Sequence, residues 1–269
     1  MSYKVYPGIR KDYFNEIKEY IAVLYFLAWR DFKVRYKQTS LGFLWAVIKP
    51  TIAMIMFTVV FAKIGKFPSG NAPYPLLVFC GLLPWQFFQA AFSSGSGSVM
   101  GNGQLIKKVY FPKIFLPLSS IFTALIDFVI SCSIFLCMFF YYQYPLHLKI
   151  FLFPIFLIPI IIFAAGLSLF MSGLFVKYRD LQHLSGYLIQ FGMFVSPVGF
   201  LSSVVDHKYH TFFYLNPIAG AIDGFRWAIL DGVKPNYDTY MLGLVTSLLF
   251  AVIGYLYFRK VEHEFADII

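Results

Sequence analysis

The chain has 269 residues, 59% hydrophobic and 13% charged, with a mean hydropathy of +0.70. A soluble domain carries about 25% charged residues, so a water-soluble globule is excluded and lipid must solvate much of the surface. The net charge of +9 does not imply nucleic acid, because the basic residues lie between apolar runs and read as topology determinants. Cys80, Cys132 and Cys137 all sit in apolar segments without a CxxC spacing. They read as small buried hydrophobes rather than disulfides or metal ligands.

The first 20 residues are polar and charged and contain no apolar signal-peptide core, so the first span is expected to serve as its own insertion signal. Ile17, Tyr20, Ile21, Leu24, Leu27 and Ala28 then recur at helical spacing, with Lys18 and Glu19 off the stripe. The apolar run over 20–29 is too short to span a bilayer. It reads as a helix lying in the interface, with a soluble helix packed on the protein as the alternative. The basic residues Arg30, Lys33, Arg35 and Lys37 follow, placed to face lipid headgroups, an acidic substrate group or a partner.

Apolar stretches of about 20 residues predict six spans, at 43–62, 74–93, 116–142, 150–176, 185–203 and 240–258. With the N-terminus inside, fifteen of the 22 Lys and Arg residues fall in cytoplasmic segments and six outside. Both termini are therefore expected in the cytoplasm. Lys49 lies about one turn into the first span, where it can snorkel to the interface. The expected organisation is an interfacial segment 1–42, a six-helix transmembrane domain 43–258 and a cytoplasmic tail 259–269.

Two connections carry further pattern. The cytoplasmic loop 94–115 is rich in Ser and Gly in its first half, and its second half predicts a short amphipathic helix stopped by Pro112. A short helix parallel to the membrane is what a cytosolic motor would grip. Its Gly95, Gly97, Gly101 and Gly103 are not a phosphate loop, since no Gly-Lys-Ser/Thr follows and no strand precedes them. The outer segment 204–239 contains a run of about 13 residues from Ile218 to Leu230, too short to span. It predicts a re-entrant or interfacial helix turned at Asn216 and Pro217.

Asp127 sits mid-way along the third span, where a carboxylate costs about 2.5–3.5 kcal/mol. It must line a polar path, pair with a second polar group, or be protonated and bonded to a neighbouring helix. Asp223 and Arg226, at i and i+3, read as an ion pair. His207 and His210 beside Asp206 read as a surface loop, without further ligands for a metal. No catalytic constellation can be placed. Trp45, Phe57, Phe61, Trp85, Phe87, Phe88 and Phe92 crowd the first two spans. Such rings stack on sugar faces or simply pack.

The stretch RDFKVRYKQTSLGFLW at 30–45 with Pro50 resembles the start of the type-2 export permeases of ABC transporters. The branch it resembles exports O-antigen, capsule and teichoic acid. GLLPWQFF at 81–88, Asn102 with LIKKVYFP at 105–112, KYRDL at 177–181, Ser196-Pro197 and Asn216-Pro217 extend the resemblance over nearly the whole chain. It implies an all-α membrane fold with an N-terminal interfacial helix, six spans and short helices before the last one. It implies a homodimer working with two cytosolic ABC ATPase subunits, which carry the ATP and Mg; this chain binds no cofactor itself. The implied cargo is a polysaccharide on an undecaprenyl pyrophosphate carrier, most of all O-antigen, with teichoic acid or capsule as the alternatives. The implied location is the bacterial inner membrane.

On that basis Arg30, Lys33, Arg35, Tyr36 and Lys37, with Trp45, Phe57, Phe61, Trp85 and Phe88, are the expected substrate path. Asn102, Leu105, Lys107, Lys108, Tyr110, Phe111 and Pro112 are the expected ATPase contact, and Asn216, Pro217, Asp223 and Arg226 the outer segment. Two rivals have different signatures. A membrane-embedded glycosyl or lipid transferase needs clustered acidic or His side chains at the interface. An ion-coupled transporter needs several charges in spans and an internal repeat.

Overall fold

The computed structural model describes residues 13–37, 44–70, 72–230 and 237–268. Residues 38–43 of the first motif, the expected start of the first span at 43, and 231–236 with Lys234 lie outside the described residues. All described secondary structure is helical. Twelve α-helices are described: α1 Tyr13–Glu19, α2 Ile21–Lys37, α3 Leu44–Phe57, α4 Tyr74–Gly101, α5 Gly103–Lys108, α6 Phe115–Tyr142, α7 Phe153–Lys177, α8 Gln182–Val195, α9 His210–Tyr214, α10 Pro217–Ile229, α11 Tyr237–Val261 and α12 Phe265–Ile268. Helices dominate because a backbone in lipid must satisfy its hydrogen bonds internally.

Five helical stretches are long and apolar enough to cross a membrane: Val47–Ile64, Tyr74–Gly101, Phe115–Tyr142, Leu148–Lys177 and Tyr237–Glu264. The protein is thus a multi-pass membrane protein. The first of these continues α3 through the π-helical turns Thr58–Ile64. α4 is the central element, with 78% of its apolar window buried against 6% for Val47–Ile64.

The predicted fifth span is shorter than expected. α8 has 14 residues, or about 21 Å of helix, and it stops at Ser196 because Pro197 cannot extend a helix and holds its predecessor extended. Its start lies beside the end of α4, where Gln182 Nε2 donates to Met100 Sδ at 3.0 Å. The chain beyond it reaches the start of α4, where the Tyr74 hydroxyl donates to the Gly199 carbonyl at 2.7 Å.

Small residues bring helices together. A Cβ on Gly254 would stand 2.0 Å from the Gly166 carbonyl, so α7 and α11 cross in near-backbone contact. α10 is buried along almost its whole length, and the Phe156 ring of α7 packs closely against its Gly224. At one end of the bundle a separate apolar cluster joins Leu24 and Leu27 of α2, Ile106 of α5, Phe111, and Phe258, Val261 and Phe265 of the C-terminal end. The N-terminal helix, the 102–114 loop and the end of the last long helix therefore share one end of the molecule.

Candidate functional site

Polar residues spaced at helical intervals build a cavity inside the bundle. On α4, Gln86, Gln89, Ser93 and Ser94 fall on one side, and on α6 Ala124, Asp127, Phe128 and Ser131 do the same. These two faces, with the end of α2 and the start of α3, line a half-open pocket of about 780 Å³. Arg35 and Tyr36 of α2 both reach Asp127, Arg35 as an ion pair and Tyr36 through its hydroxyl. Arg35 Nη2 also donates to Ser94 Oγ at 3.1 Å. Burial, then the bond to Asp127 and its negative charge, raises the Tyr36 phenol above its ordinary pKa, so it remains a neutral donor. Lys49 and Trp45 of α3 complete the wall, with the ammonium 5.9 Å from the ring centroid.

The charge balance of this cavity follows from the pairing. Asp127 offsets Arg35, so Lys49 leaves the lining with one net positive charge. Together with hydroxyls, amides and the rings of Tyr36, Trp45, Phe87 and Phe128, this charge suits a polar, anionic guest. Asp127 is thus a partner for a second polar group, one of the expectations for an intramembrane carboxylate.

Of the ten expected path residues, Arg35, Tyr36 and Trp45 converge here. Arg30 turns away, bonding Asp31 Oδ1 at 2.7 Å and Asn102 Oδ1 at 2.9 Å, and so ties α2 to the 102–113 loop. Lys33 lies over the Trp29 ring at 5.2 Å, and Lys37 is exposed. Phe57 and Phe61 stack on each other at 5.5 Å and pack on Gly199, outside the cavity lining. Trp85 and Phe88 are core residues, 1% and 5% exposed. Trp85 abuts Gly192 of α8, and Phe88 stacks on Phe92 and Phe163. Sequence reasoning left Lys49, Gln86, Gln89 and Ser94 out of the path. The available signal was their register: each lies on the face that Asp127 must seek to escape lipid.

The loop 102–113 forms a second constellation. The predicted short helix is present as α5, ending at Lys108 rather than at Pro112, because Val109 is already extended. Asn102 Nδ2 donates to the Ser98 carbonyl at 2.8 Å. Lys107, Lys108 and Tyr110 are exposed, Leu105 is half-buried, and Phe111 and Pro112 are buried. The Tyr110 hydroxyl bonds Glu16 of α1 at 2.5 Å. The loop therefore has a basic outward face and an apolar inner anchor.

In the outer segment, Asn216 accepts from the Ile218 amide at 3.1 Å, and Pro217 occupies the first turn of α10. Asn216 Nδ2 also reaches Ser196 Oγ at 2.8 Å, joining the Asn-Pro and Ser-Pro pairs. The expected Asp223–Arg226 ion pair does not form. Asp223 accepts from Ser202 Oγ at 2.7 Å and from the Tyr214 hydroxyl at 2.8 Å. Arg226 is fully buried and donates to the carbonyls of Phe200 at 2.7 Å and Val198 at 3.0 Å. Both side chains find partners in the segments that fold over α10, which outcompete a neighbour on the same helix. The His207 and His210 rings lie tilted with centres 4.5 Å apart, and His210 Nε2 lies 2.9 Å from the Val205 carbonyl. Among the described residues no group of three or more potential metal ligands occurs.

Comparisons with known proteins agree with this architecture. Residues 22–230 match the ABC-2 type transporter family. The chain is 28% identical over 241 residues to an O-antigen export system permease protein RfbA of Klebsiella pneumoniae, covering 89% of this chain and 92% of that protein. It is 28% identical over 256 residues to a protein of the same name from Myxococcus xanthus, covering 94% and 97%. It is 22% identical over 233 residues to the polysialic acid transport protein KpsM of Escherichia coli, covering 82% and 87%. A match over so much of the chain, with an all-helical bundle crossed by long apolar helices, makes the assignment plain: the chain belongs to the ABC-2 type transporter family.

Proposed function

We propose that this chain is the permease subunit of an ATP-driven exporter that moves lipid-linked polysaccharide, O-antigen above all, from cytoplasm to periplasm. The observation that carries this reading is the near-full-length similarity to O-antigen export permeases. The chain works as a transport subunit of the bacterial inner membrane, not as an enzyme. ATP and Mg are bound and used by a separate cytosolic ABC ATPase.

Six crossings are inferred. The five long helices supply five, and α8 with the turn residues after it supplies the sixth. The contacts of Gln182 with Met100 and of Gly199 with Tyr74 support this, since they put the two ends of that segment at opposite ends of α4. An even number of crossings also agrees with the N-terminal helix and the end of α11 sharing one apolar cluster. That end, bearing Lys107 and Lys108, is assigned to the cytoplasm. α10 is then a buried re-entrant helix under the outer surface.

Two copies form the working permease. The cavity beside α2 receives the pyrophosphate of an undecaprenyl carrier, attracted by the uncompensated Lys49, while Trp45 and the hydroxyls and amides of α4 meet the first sugars. The exposed face of α5 contacts the ATPase, and nucleotide-driven closure of that partner shifts the loop.

Affinity purification of the tagged chain from its host in mild detergent, followed by mass spectrometry, tests the reading. A stoichiometric ATPase with a phosphate loop is expected. A partnerless protein from well-solubilised membranes would overturn it. The relative named for polysialic acid transport favours a second reading, a capsular polysaccharide as cargo. Loss of capsule with intact O-antigen in a deletion strain would select it.

A further inference from the structure

The last long helix does not end the fold. After Val261 the chain turns through Glu262–Glu264 into α12 and folds back beneath the 102–113 loop. Glu262 is only 7% exposed. Its Oε1 accepts the Lys113 backbone N–H at 3.0 Å, and its Oε2 pairs with Arg259 Nη1 at 2.8 Å. Lys113 returns the contact: its ammonium donates to the Glu262 carbonyl at 2.9 Å and lies 5.7 Å from the centre of the Phe265 ring. Phe258 and Phe265, both 0% exposed, pack edge to face at 5.3 Å in the cluster that also buries Phe111 and Ile106.

A charge-assisted bond to a backbone amide is strong where water is scarce. That bond, the Lys113 ammonium's bond to the Glu262 carbonyl and the aromatic seal make the loop and the end of α11 one body. The same α11 meets α7 without intervening side chains at Gly254 and Gly166. A displacement of the loop is therefore delivered to two long helices directly.

We propose that Glu262 is a positioning residue that clasps the C-terminal end of α11 to the 102–113 loop, so that force applied to the loop moves α11 and α7. The proposal rests on the reading of this loop as the ATPase contact. Coupling requires an element whose equilibrium both sites bias, and the Glu262–Lys113 clasp supplies the rigid join. A merely structural Glu262 would alter stability and leave the yield of transport per ATP unchanged.

The test uses the purified permease–ATPase complex in vesicles and measures lipid-linked glycan translocated per ATP hydrolysed. Wild type is measured first: no ATP-dependent translocation there overturns the proposed function itself, whatever the variants do. With a coupled wild type, Glu262→Ala is expected to keep the ATPase bound and hydrolysing while translocation per ATP falls at least about fivefold. Glu262→Gln, which retains an acceptor for the Lys113 amide, is expected to restore most of it. An unchanged ratio in an assembled Glu262→Ala complex overturns the clasp. Should that variant fail to assemble, Glu262→Met keeps the side-chain volume and removes the acceptor for the Lys113 amide. A lowered ratio in an assembled Glu262→Met complex supports the proposal, and a wild-type ratio overturns it.

Discussion

Arg35 and Asp127, 92 residues apart, form an ion pair inside the helical bundle, with side chains 34% and 26% exposed. The pair anchors the basic end of α2 against the middle of α6, and Tyr36 bonds the same carboxylate. The geometry makes Asp127 a docking point for the N-terminal helix, and it removes Arg35 from the list of free cations.

The pairing has a measurable consequence. Arg35→Glu sets two carboxylates against each other and is expected to abolish export while the protein still inserts. The swap Arg35→Asp with Asp127→Arg is expected to recover part of it. In a double-mutant cycle on stability the coupling should be about 0.5–3 kcal/mol. Additive single effects would mean that the pair contributes nothing.

Lys49 carries the uncompensated charge of the cavity. Lys49→Met is expected to reduce surface polysaccharide strongly, and Lys49→Arg to preserve it, with membrane levels of both variants equal to wild type. Gel analysis of extracted glycan checks this. Full export by Lys49→Met would remove the electrostatic role of the cavity.

The two halves of the 102–113 loop should separate by mutation. Phe111 is buried, so Phe111→Ala should cost about 3–5 kcal/mol of stability, read as early loss of folded protein in a detergent melt. Lys107→Glu with Lys108→Glu touches only exposed groups. It should leave the melt unchanged and reduce co-purification of the ATPase. Equal melting of Phe111→Ala and wild type would contradict the buried anchor.

Glycines divide the same way. Gly254→Leu forces a side chain into the Gly166 backbone and should destabilise by at least about 1–3 kcal/mol. At Gly97 an added Cβ meets nothing within 4 Å, so Gly97→Ala should be tolerated. Thermal stability of the two proteins in the same detergent compares them.

Asp223 and Arg226 offer a contrast with Arg35 and Asp127. Each bonds groups fixed in other segments, so exchanging them should not rescue. Arg226→Leu strips two carbonyls of a donor and should lower the yield of folded protein. The exchange Asp223→Arg with Arg226→Asp should be at least as damaging, and recovery of folded yield by it would restore the simple ion-pair picture.

Helical architecture was legible in the residues because it depends on sums over neighbours. A run of apolar residues must bury its backbone in hydrogen bonds wherever lipid surrounds it, and that holds for 74–93 or 116–142 without knowing what lies beside them. Local chemistry also made the Asn216–Pro217 cap readable, since cap and helix are adjacent in the chain. α8 is where the local sum misleads: 185–203 is mostly apolar, yet Pro197 ends the helix and the remaining length continues in turns and a 3-10 turn.

Partnership could not be read this way. An apolar ring suits a core and a path equally well, so only packing against Gly192, Phe92 and Phe163 decides that Trp85 and Phe88 are core. A charged side chain in a span demands some partner, and the sequence states that demand for Asp127. Which cation answers depends on how α2 crosses α6, a relation fixed by contacts between residues distant in the chain. The sequence by itself determined that this is a helical membrane protein with a basic N-terminal segment and a costly carboxylate in one span. Tertiary structure decided that Asp127 pairs with Arg35 and not with Lys49, and that Asp223 and Arg226 look outward to other segments, because the energies of pairing and burial fall off over a few ångströms in space, not along the chain.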